Sequence, residues 1–285
     1  MRCRAEAPPT STLGQEGREG IPLGPYVAYR SSVKPVSERS DGLFSSEVPL
    51  DLPNMRVGYG GIIPPNVGDG DRAAGADGVR DNLDPSWLRG DPPWLDLFEV
   101  WLREAVAAQI PEPNAMVLGT ADAHGFPVTR TVLCKGVDAD GVVFFTGYDS
   151  EKGRELAANP RASITFPWIA LERQVHFRGA VVKVSAQETQ AYWAKRPRGS
   201  QLSALASEQS ASIGSRGELE AKAADVANRL GGIEGTEPVP VPPTWGGYRL
   251  QPTQVEFWQG RANRLHNRVR ISLIDGAWQA QRLQP

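Results

Sequence analysis

The chain has 285 residues, enough to bury a substantial core in one large domain or two small ones. Its formal charge of −2 and isoelectric point near 6.0 exclude a bulk attraction to nucleic acid, so any phosphate site must be local. Two cysteines, Cys3 and Cys134, are too few for a disulfide framework and lack metal-ligand spacing; no apolar run approaches the ~20 residues that span a bilayer.

Without a continuous hydrophobic segment of the secretory kind near its start, the chain is expected to be soluble and cytoplasmic. Residues 1–54 are rich in Pro, Gly, Ser and charge with no sustained period, which predicts a disordered or loosely attached extension. Residues 55–86 continue with Gly60-Gly61, Pro64-Pro65 and a Gly/Asp-rich run, read as a flexible insertion. The organised domain is expected over 87–285. Asp91 suits a helix cap with Pro92 at the first position, and Trp94, Leu97, Phe98, Trp101, Ala105 and Ala108 then recur at helical spacing over about 17 residues.

From Ala115 the period becomes that of strands: Ala115 to Ala121, Thr129 to Val137 and Val142 to Gly147, separated by turn signals at His124-Gly125 and Asp138-Ala-Asp-Gly141. Ser150 opens a short helix through Leu156, and strands follow over Ala162 to Trp168 and Glu172 to Val184. Capping boxes at Ser185 and Ser215 start two more helices. After a proline-rich link come strands at Tyr248 to Gln251, Val255 to Gln259, Arg264 to Ile274 and Ala277 to Leu283. The fold class is mainly β with inserted helices (α+β), and a small antiparallel barrel would manage so many strand edges.

Four stretches carry candidate chemistry. Glu256 to Arg268 packs an aromatic ring, an amide, three arginines and His266 between two strands; it reads either as a solvated basic hairpin or as a site for a planar phosphorylated ligand. Arg130 and Lys135 lie five apart on a strand, hence on opposite faces unless a bulge re-aims one. Tyr192, Arg196 and Ser200 recur every four residues and suit either a phosphate or a solvated face, with Pro197 expected to break the helix and leave Ser200 on a turn. Gln209-Ser210 begins a polar run that could supply donors to a second phosphate. Cys134 reads as a small core residue, and His124 and His176 as structural.

Taken together, Arg130-Thr-Val-Leu-Cys-Lys135, Phe166-Pro-Trp168, Leu171-Glu-Arg-Gln174, Arg196-Pro-Arg-Gly-Ser-Gln201, Trp245-Gly-Gly247, Glu256-Phe-Trp-Gln-Gly260, Arg264-Leu-His266 and Arg282-Leu-Gln-Pro285 resemble the pyridoxamine (pyridoxine) 5'-phosphate oxidase family, in unbroken order from about Trp87 to Pro285. The resemblance implies an FMN-binding split β-barrel of antiparallel strands, working as a homodimer with FMN at the interface. It implies cofactor contacts from the run Arg130, Thr131, Val132, Leu133, Cys134 and Lys135, from Phe145, Thr146 and Lys152, from Gln174, Trp258 and Arg268, and from Gln209 and Ser210 of the partner chain. The substrate phosphate would be met by Lys135, Tyr192, Arg196 and Ser200; Arg264, Leu265 and His266 would lie at the pyridine ring, Arg264 and His266 as the catalytic pair. Arg56 and Tyr59, in Met55-Arg-Val-Gly-Tyr59, would close over the substrate.

The activity implied is oxidation of pyridoxamine and pyridoxine 5'-phosphates to pyridoxal 5'-phosphate, with O2 as acceptor and hydrogen peroxide as product. A split-barrel flavin or deazaflavin reductase, which has no need of the Lys135, Tyr192, Arg196 and Ser200 set, and a non-catalytic FMN or pyridoxal-phosphate binder, which Glu151 makes conceivable, are the alternatives. One departure bears on the cofactor. Glu151 stands in Ser150-Glu-Lys152 where the family commonly has arginine, which should weaken FMN binding unless Glu151 turns away or Arg154 takes over.

Overall fold

A computed structural model describes residues 83–285; the expected extension, most of the insertion, Arg56 and Tyr59 lie outside the described residues. In chain order the elements are α1 (Leu95–Ala107), β1 (Ala115–Ala121), β2 (Pro127–Leu133), β3 (Gly136–Asp138), β4 (Gly141–Gly147), α2 (Glu151–Ala158), β5 (Arg161–Trp168), β6 (Arg173–Lys183), α3 (Ala186–Lys195), α4 (Arg198–Ala206), α5 (Arg216–Arg229), β7 (Trp245–Gln259), β8 (Asn267–Ile274) and β9 (Ala277–Leu283). Every strand pairing is antiparallel.

The strand order is β2-β1-β5-β6-β7-β4-β3, with β8 and β9 branching from β7. Because β2 and β3 are almost one run, the two ends of this path meet: Cys134 N–H still donates to Asn114 O of the β1 side, while Lys135 N–H already donates to Val143 O of β4. A strand that changes partner in this way closes a barrel. The β8–β9 hairpin leaves it from the far half of β7, so the architecture is a split barrel.

The barrel interior is aromatic. Phe98 on α1 sits edge-on to Phe166 and Phe177 at centroid separations of 4.9 and 5.2 Å, and Trp94 meets Phe177 at 5.5 Å. All four rings are fully buried. Each such side chain contributes about 1.5–3 kcal/mol by leaving water, so α1 is held as the plug of the barrel rather than by its own propensity. Its cap differs from expectation: the helix starts at Leu95 after Trp94, with no side-chain cap, and Pro92 lies upstream in a cis Asp91-Pro92 bond.

The other helices start where serines satisfy the orphan amides. Ser150, Ser185 and Ser215 each accept from the backbone N–H three residues on. Pro197 does end α3, but it also serves as the N-cap of α4, a helix absent from the sequence reading. Ser200 therefore lies in a helical first turn, not on a free turn. A second apolar cluster, Trp193, Leu202, Val239 and Trp245, fixes α3 and α4 against the start of β7.

Strand β7 is continuous through Pro252, where two separate strands were expected. A register shift opposite Arg178 and Gly179 of β6 absorbs the proline's missing donor. Gly179 is required there: a Cβ would stand 1.8 Å from Gln251 O. Gly179→Ala is therefore expected to cost at least about 2 kcal/mol, read as a lower urea midpoint, whereas Gly217→Ala inside α5 should raise stability by about 0.5–1 kcal/mol.

Candidate active site

The first cluster forms where β4 ends and α2 begins. Lys152 is only 6% exposed, and among the described residues its ammonium touches two hydroxyls, Thr146 Oγ1 at 3.3 Å and Ser150 Oγ at 3.4 Å. Burial lowers its pKa from the ordinary lysine value, with nearby Arg130 adding to the fall and Glu151 and Glu155 opposing it. A buried cation with hydroxyls but no carboxylate in direct contact is a ready acceptor for an anion that brings its own charge. Ser150 Oγ, at 1% residue exposure, also accepts from Gly153 N–H, so the helix N-terminus faces the same cluster.

Arg130, on β2, completes this cradle. Its Nη2 donates to Glu155 Oε2 at 2.9 Å and its Nη1 donates to Thr120 Oγ1 and, at 3.2 Å, to Val128 O. Glu151 is exposed and its nearest oxygen lies 3.9 Å from Arg130 Nη2. Arg154 is turned outward and donates to Asp149 O, so it does not replace the missing cation. Gln209, expected to arrive from a partner chain, is engaged within its own: its Oε1 accepts from Thr146 Oγ1 and Gly147 N, both at 2.9 Å. The intrachain loop after α4 is long enough to bring it there. Ser210 follows with a positive φ of 72° and is exposed.

A second cluster gathers at the end of α3. Lys135 sits just past β2, where the partner change replaces the simple alternation that had put it opposite Arg130. Burial lowers its pKa, and Arg196 pushes in the same direction, against the opposing pull of Cys134 and Glu112. Arg196, at the end of α3, stacks over Trp245 at 4.8 Å and donates from Nη2 to Ser200 O at 2.9 Å; its Nε is buried without a partner. Tyr192 stacks on Phe145 at 3.9 Å, and Phe145 on Trp245 at 5.5 Å. Arg198 anchors the turn by donating to three carbonyls, those of Gly232, Glu237 and Leu230. Two cations, one with an orphan N–H, and a phenol thus gather over stacked aromatic rings.

The third cluster is the stretch between β7 and β8. Gln174, Trp258 and Arg268 are register partners across β6, β7 and β8. Glu256, which the sequence reading left without a role, holds Arg268 through Nε at 2.8 Å and Arg270 through Nη2 at 2.9 Å. His266 packs on Trp258 at 4.7 Å, and its Nδ1 accepts from Arg261 N–H at 3.1 Å, so the neutral ring carries its proton on Nε2. Arg264 and Leu265 are exposed, and Arg264 has φ 63°, in a short helical turn. Thr131, Val132 and Leu133 line β2 without polar side-chain contacts to any cluster, and Cys134 is buried, its thiol pushed up to about 12 by desolvation, as fits a core residue.

The clusters occupy opposite ends of one strand. Thr146 pairs with Gly246 at the start of β7, and Gln174 pairs with Trp258 near its end, a contour of ~40 Å at about 3.3 Å per residue. Among the described residues no group of His, Cys, Asp and Glu could hold a metal ion, and no helix is long and apolar enough to cross a membrane.

Fold and site together describe a split barrel that carries two groups of partly or fully buried cations. The chain belongs to the pyridoxamine 5'-phosphate oxidase family: the model described as pyridoxamine 5'-phosphate oxidase matches residues 102–229, and the pyridoxine 5'-phosphate oxidase C-terminal dimerisation region matches 245–285. It is 54% identical over 237 residues to a pyridoxine/pyridoxamine 5'-phosphate oxidase of Rhodococcus jostii, covering 82% of this chain and 99% of the relative. With the corresponding protein of Mycolicibacterium smegmatis it shares 56% over 238 residues, 83% and 94% of the two chains. Among solved structures, PhzG from Burkholderia lata in complex with tetrahydrophenazine-1-carboxylic acid is 33% identical, with TM-score 0.66 over 72% of this chain and 98% of that one. A pyridoxamine 5'-phosphate oxidase-related, FMN binding protein from Nostoc punctiforme, 19% identical with TM-score 0.55 over 68% and 97%, shares the fold.

The lowered pKa of Lys135 gives a pH dependence with a definite sign. The group is cationic below that pKa and neutral above it, so an anion held there loses a charge partner as pH rises, before an ordinary lysine with a pKa of 10.5 would titrate. Calorimetric titration with inorganic phosphate from neutral pH upward is expected to show affinity falling in that window, and Lys135→Met to remove that part of the slope.

Proposed function

We propose that the protein is an FMN-dependent oxidase converting pyridoxamine 5'-phosphate and pyridoxine 5'-phosphate to pyridoxal 5'-phosphate, with O2 as electron acceptor and hydrogen peroxide as product. The observation that carries this reading is that the chain holds two separate groups of cations kept from full solvation: Arg130 with buried Lys152, and Lys135 with Arg196. Two such groups suit a phosphorylated cofactor and a phosphorylated substrate. A reductase for an unphosphorylated ring would have no use for the second cradle.

The cofactor residues fit FMN on chemical grounds, since buried Lys152 lacks an anion in contact and Thr146 and Ser150 add hydroxyls. Bound FMN would supply the hydride-accepting ring that no side chain offers. The chain's own residues place and polarise. Lys135, Tyr192, Arg196 and Ser200 hold the substrate phosphate, and the Phe145 and Trp245 rings keep water from the guanidinium. Orienting the donor carbon by its phosphate is worth up to ~7–11 kcal/mol of barrier. Arg264 offers charge at the pyridine ring, and His266, with its proton on Nε2, offers one hydrogen bond there.

The distance along β7 supports a site shared between two chains. Even with a right-angle bend midway, the ends of a ~40 Å strand stay some 28 Å apart, farther than one flavin nucleotide reaches. We therefore assign the cradles to one protomer and Gln174, Trp258, Arg264, His266 and Arg268 to its partner, which reverses the sequence-based assignment of Gln209.

Three measurements test the reading. Purified protein reconstituted with FMN should bleach when pyridoxine 5'-phosphate is added without oxygen; a yellow protein that stays yellow points to the reductase or binder. Arg196→Ala should raise KM for the phosphorylated substrate by about 10–100-fold with flavin content unchanged. Mixing Arg196→Ala and Arg264→Ala protomers, assayed at substrate well below the raised KM so that each alone turns over little, should restore about a quarter of wild-type activity, because half the dimers then hold one intact site; no recovery would place both residues in one chain's site.

A further inference from the structure

Two carboxylates approach the same arginine, and their geometries differ. Glu155 is 6% exposed, and its Oε2 takes both Arg130 Nη2 at 2.9 Å and the Thr120 hydroxyl at 2.5 Å. Thr120 Oγ1 in turn accepts from Arg130 Nη1, and the same nitrogen reaches Val128 O. Arginine, threonine and glutamate thus form a closed ring of hydrogen bonds that occupies the end-on edge of the guanidinium. The lateral edge, Nε–H with the second Nη2–H, has no hydrogen-bond partner among the described residues. Glu151, exposed, has its nearest oxygen 3.9 Å from Nη2, the nitrogen that the two edges share.

That lateral edge is the one suited to a bidentate grip on a phosphate. We propose that Glu155 is a positioning residue for the cofactor phosphate, locking Arg130 so that its lateral edge faces the anion beside Lys152, while Glu151 competes for that edge. The proposal rests on the reading of Arg130 and Lys152 as the cofactor-phosphate cradle. Its consequence is selectivity for a phosphorylated flavin over the uncharged riboflavin.

Simple charge counting gives the opposite sign for Glu155. A buried carboxylate next to an incoming phosphate repels it, so on Coulomb grounds alone its removal should tighten binding. Positioning argues the reverse: without Glu155 the long side chain regains rotamers that binding must then freeze, and its fork loses direction. A structural ion pair is a third possibility, and it would affect every ligand alike. The three differ in what they do to FMN relative to riboflavin.

The experiment titrates apoprotein with FMN and, separately, with riboflavin, following quenching of flavin fluorescence, alongside the melting temperature of each variant. Glu155→Gln is expected to weaken FMN about 10–100-fold and to leave riboflavin within about twofold. Thr120→Val, which keeps both charges and breaks the ring, should weaken FMN in the same sense by a smaller factor; it carries the test if Glu155→Gln does not fold. Glu151→Gln should strengthen FMN by about threefold. Combining Arg130→Ala with Glu155→Gln should be no worse than Arg130→Ala alone, because the second residue acts through the first. Unchanged or tighter FMN binding by Glu155→Gln, or equal losses for FMN and riboflavin, would overturn the proposal. If Arg130→Ala keeps the preference for FMN, the cradle itself is wrongly assigned and the underlying reading fails instead.

Discussion

The structure depends on one strand that hydrogen-bonds three neighbours. Over its 15 residues β7 pairs with β6 along most of its length, with β4 at its beginning and with β8 at its end. It is a wall of the closed barrel in its first half and the root of the protruding hairpin in its second. A strand can change partner this way only if its middle tolerates a bend, and Pro252 opposite the Gly179 bulge supplies one. The cation clusters gather towards one end and the aromatic, arginine-rich turn lies at the other. Dimerisation, on the reading advanced here, is the means by which these distant halves meet.

Charge is organised to the same end. On the face of the sheet away from the aromatic core, Glu256 lies between Arg268 and Arg270, and His176, its register neighbour on β6, bonds Thr165 through Nδ1 at 2.9 Å. Burial lowers the His176 pKa, with Glu256 pulling against it. Here one carboxylate is shared by two guanidiniums. The cradles are arranged differently: Lys152 is buried and Lys135 half-buried, and neither has a carboxylate within hydrogen-bond reach among the described residues, so desolvation of these cations is not offset by a paired anion.

Much of the fold was legible because its signals are local. The bounds of β1 and β9 follow from alternation and turn chemistry, and α2, α3 and α5 from serines whose hydroxyls take the third amide on. What escaped is set by distant residues. Asp91 has the chemistry of a cap, yet α1 begins at Leu95 because Trp94 and Phe98 must seat inside the barrel. Pro197 was read as a terminator and is also an N-cap. Pro252 was read as a break, since the compensating glycine lies on another strand. In the site, spacing alone left Arg130, Lys135 and the Tyr192 to Ser200 set undecided; family likeness assigned them roles. Neither route found Glu155, whose partners Thr120 and Arg130 sit on two strands remote in sequence from α2.

The aromatic floor of the second cradle has an optical side. Trp245 lies face to face with Phe145 and carries the Arg196 guanidinium 4.8 Å above its ring. Indole emission responds to nearby charge, and a phosphate drawn to Arg196 would neutralise the cation that this indole sees. Trp245 is one of eight tryptophans, so the difference in emission between the wild type and a Trp245→Phe variant would isolate what this indole senses.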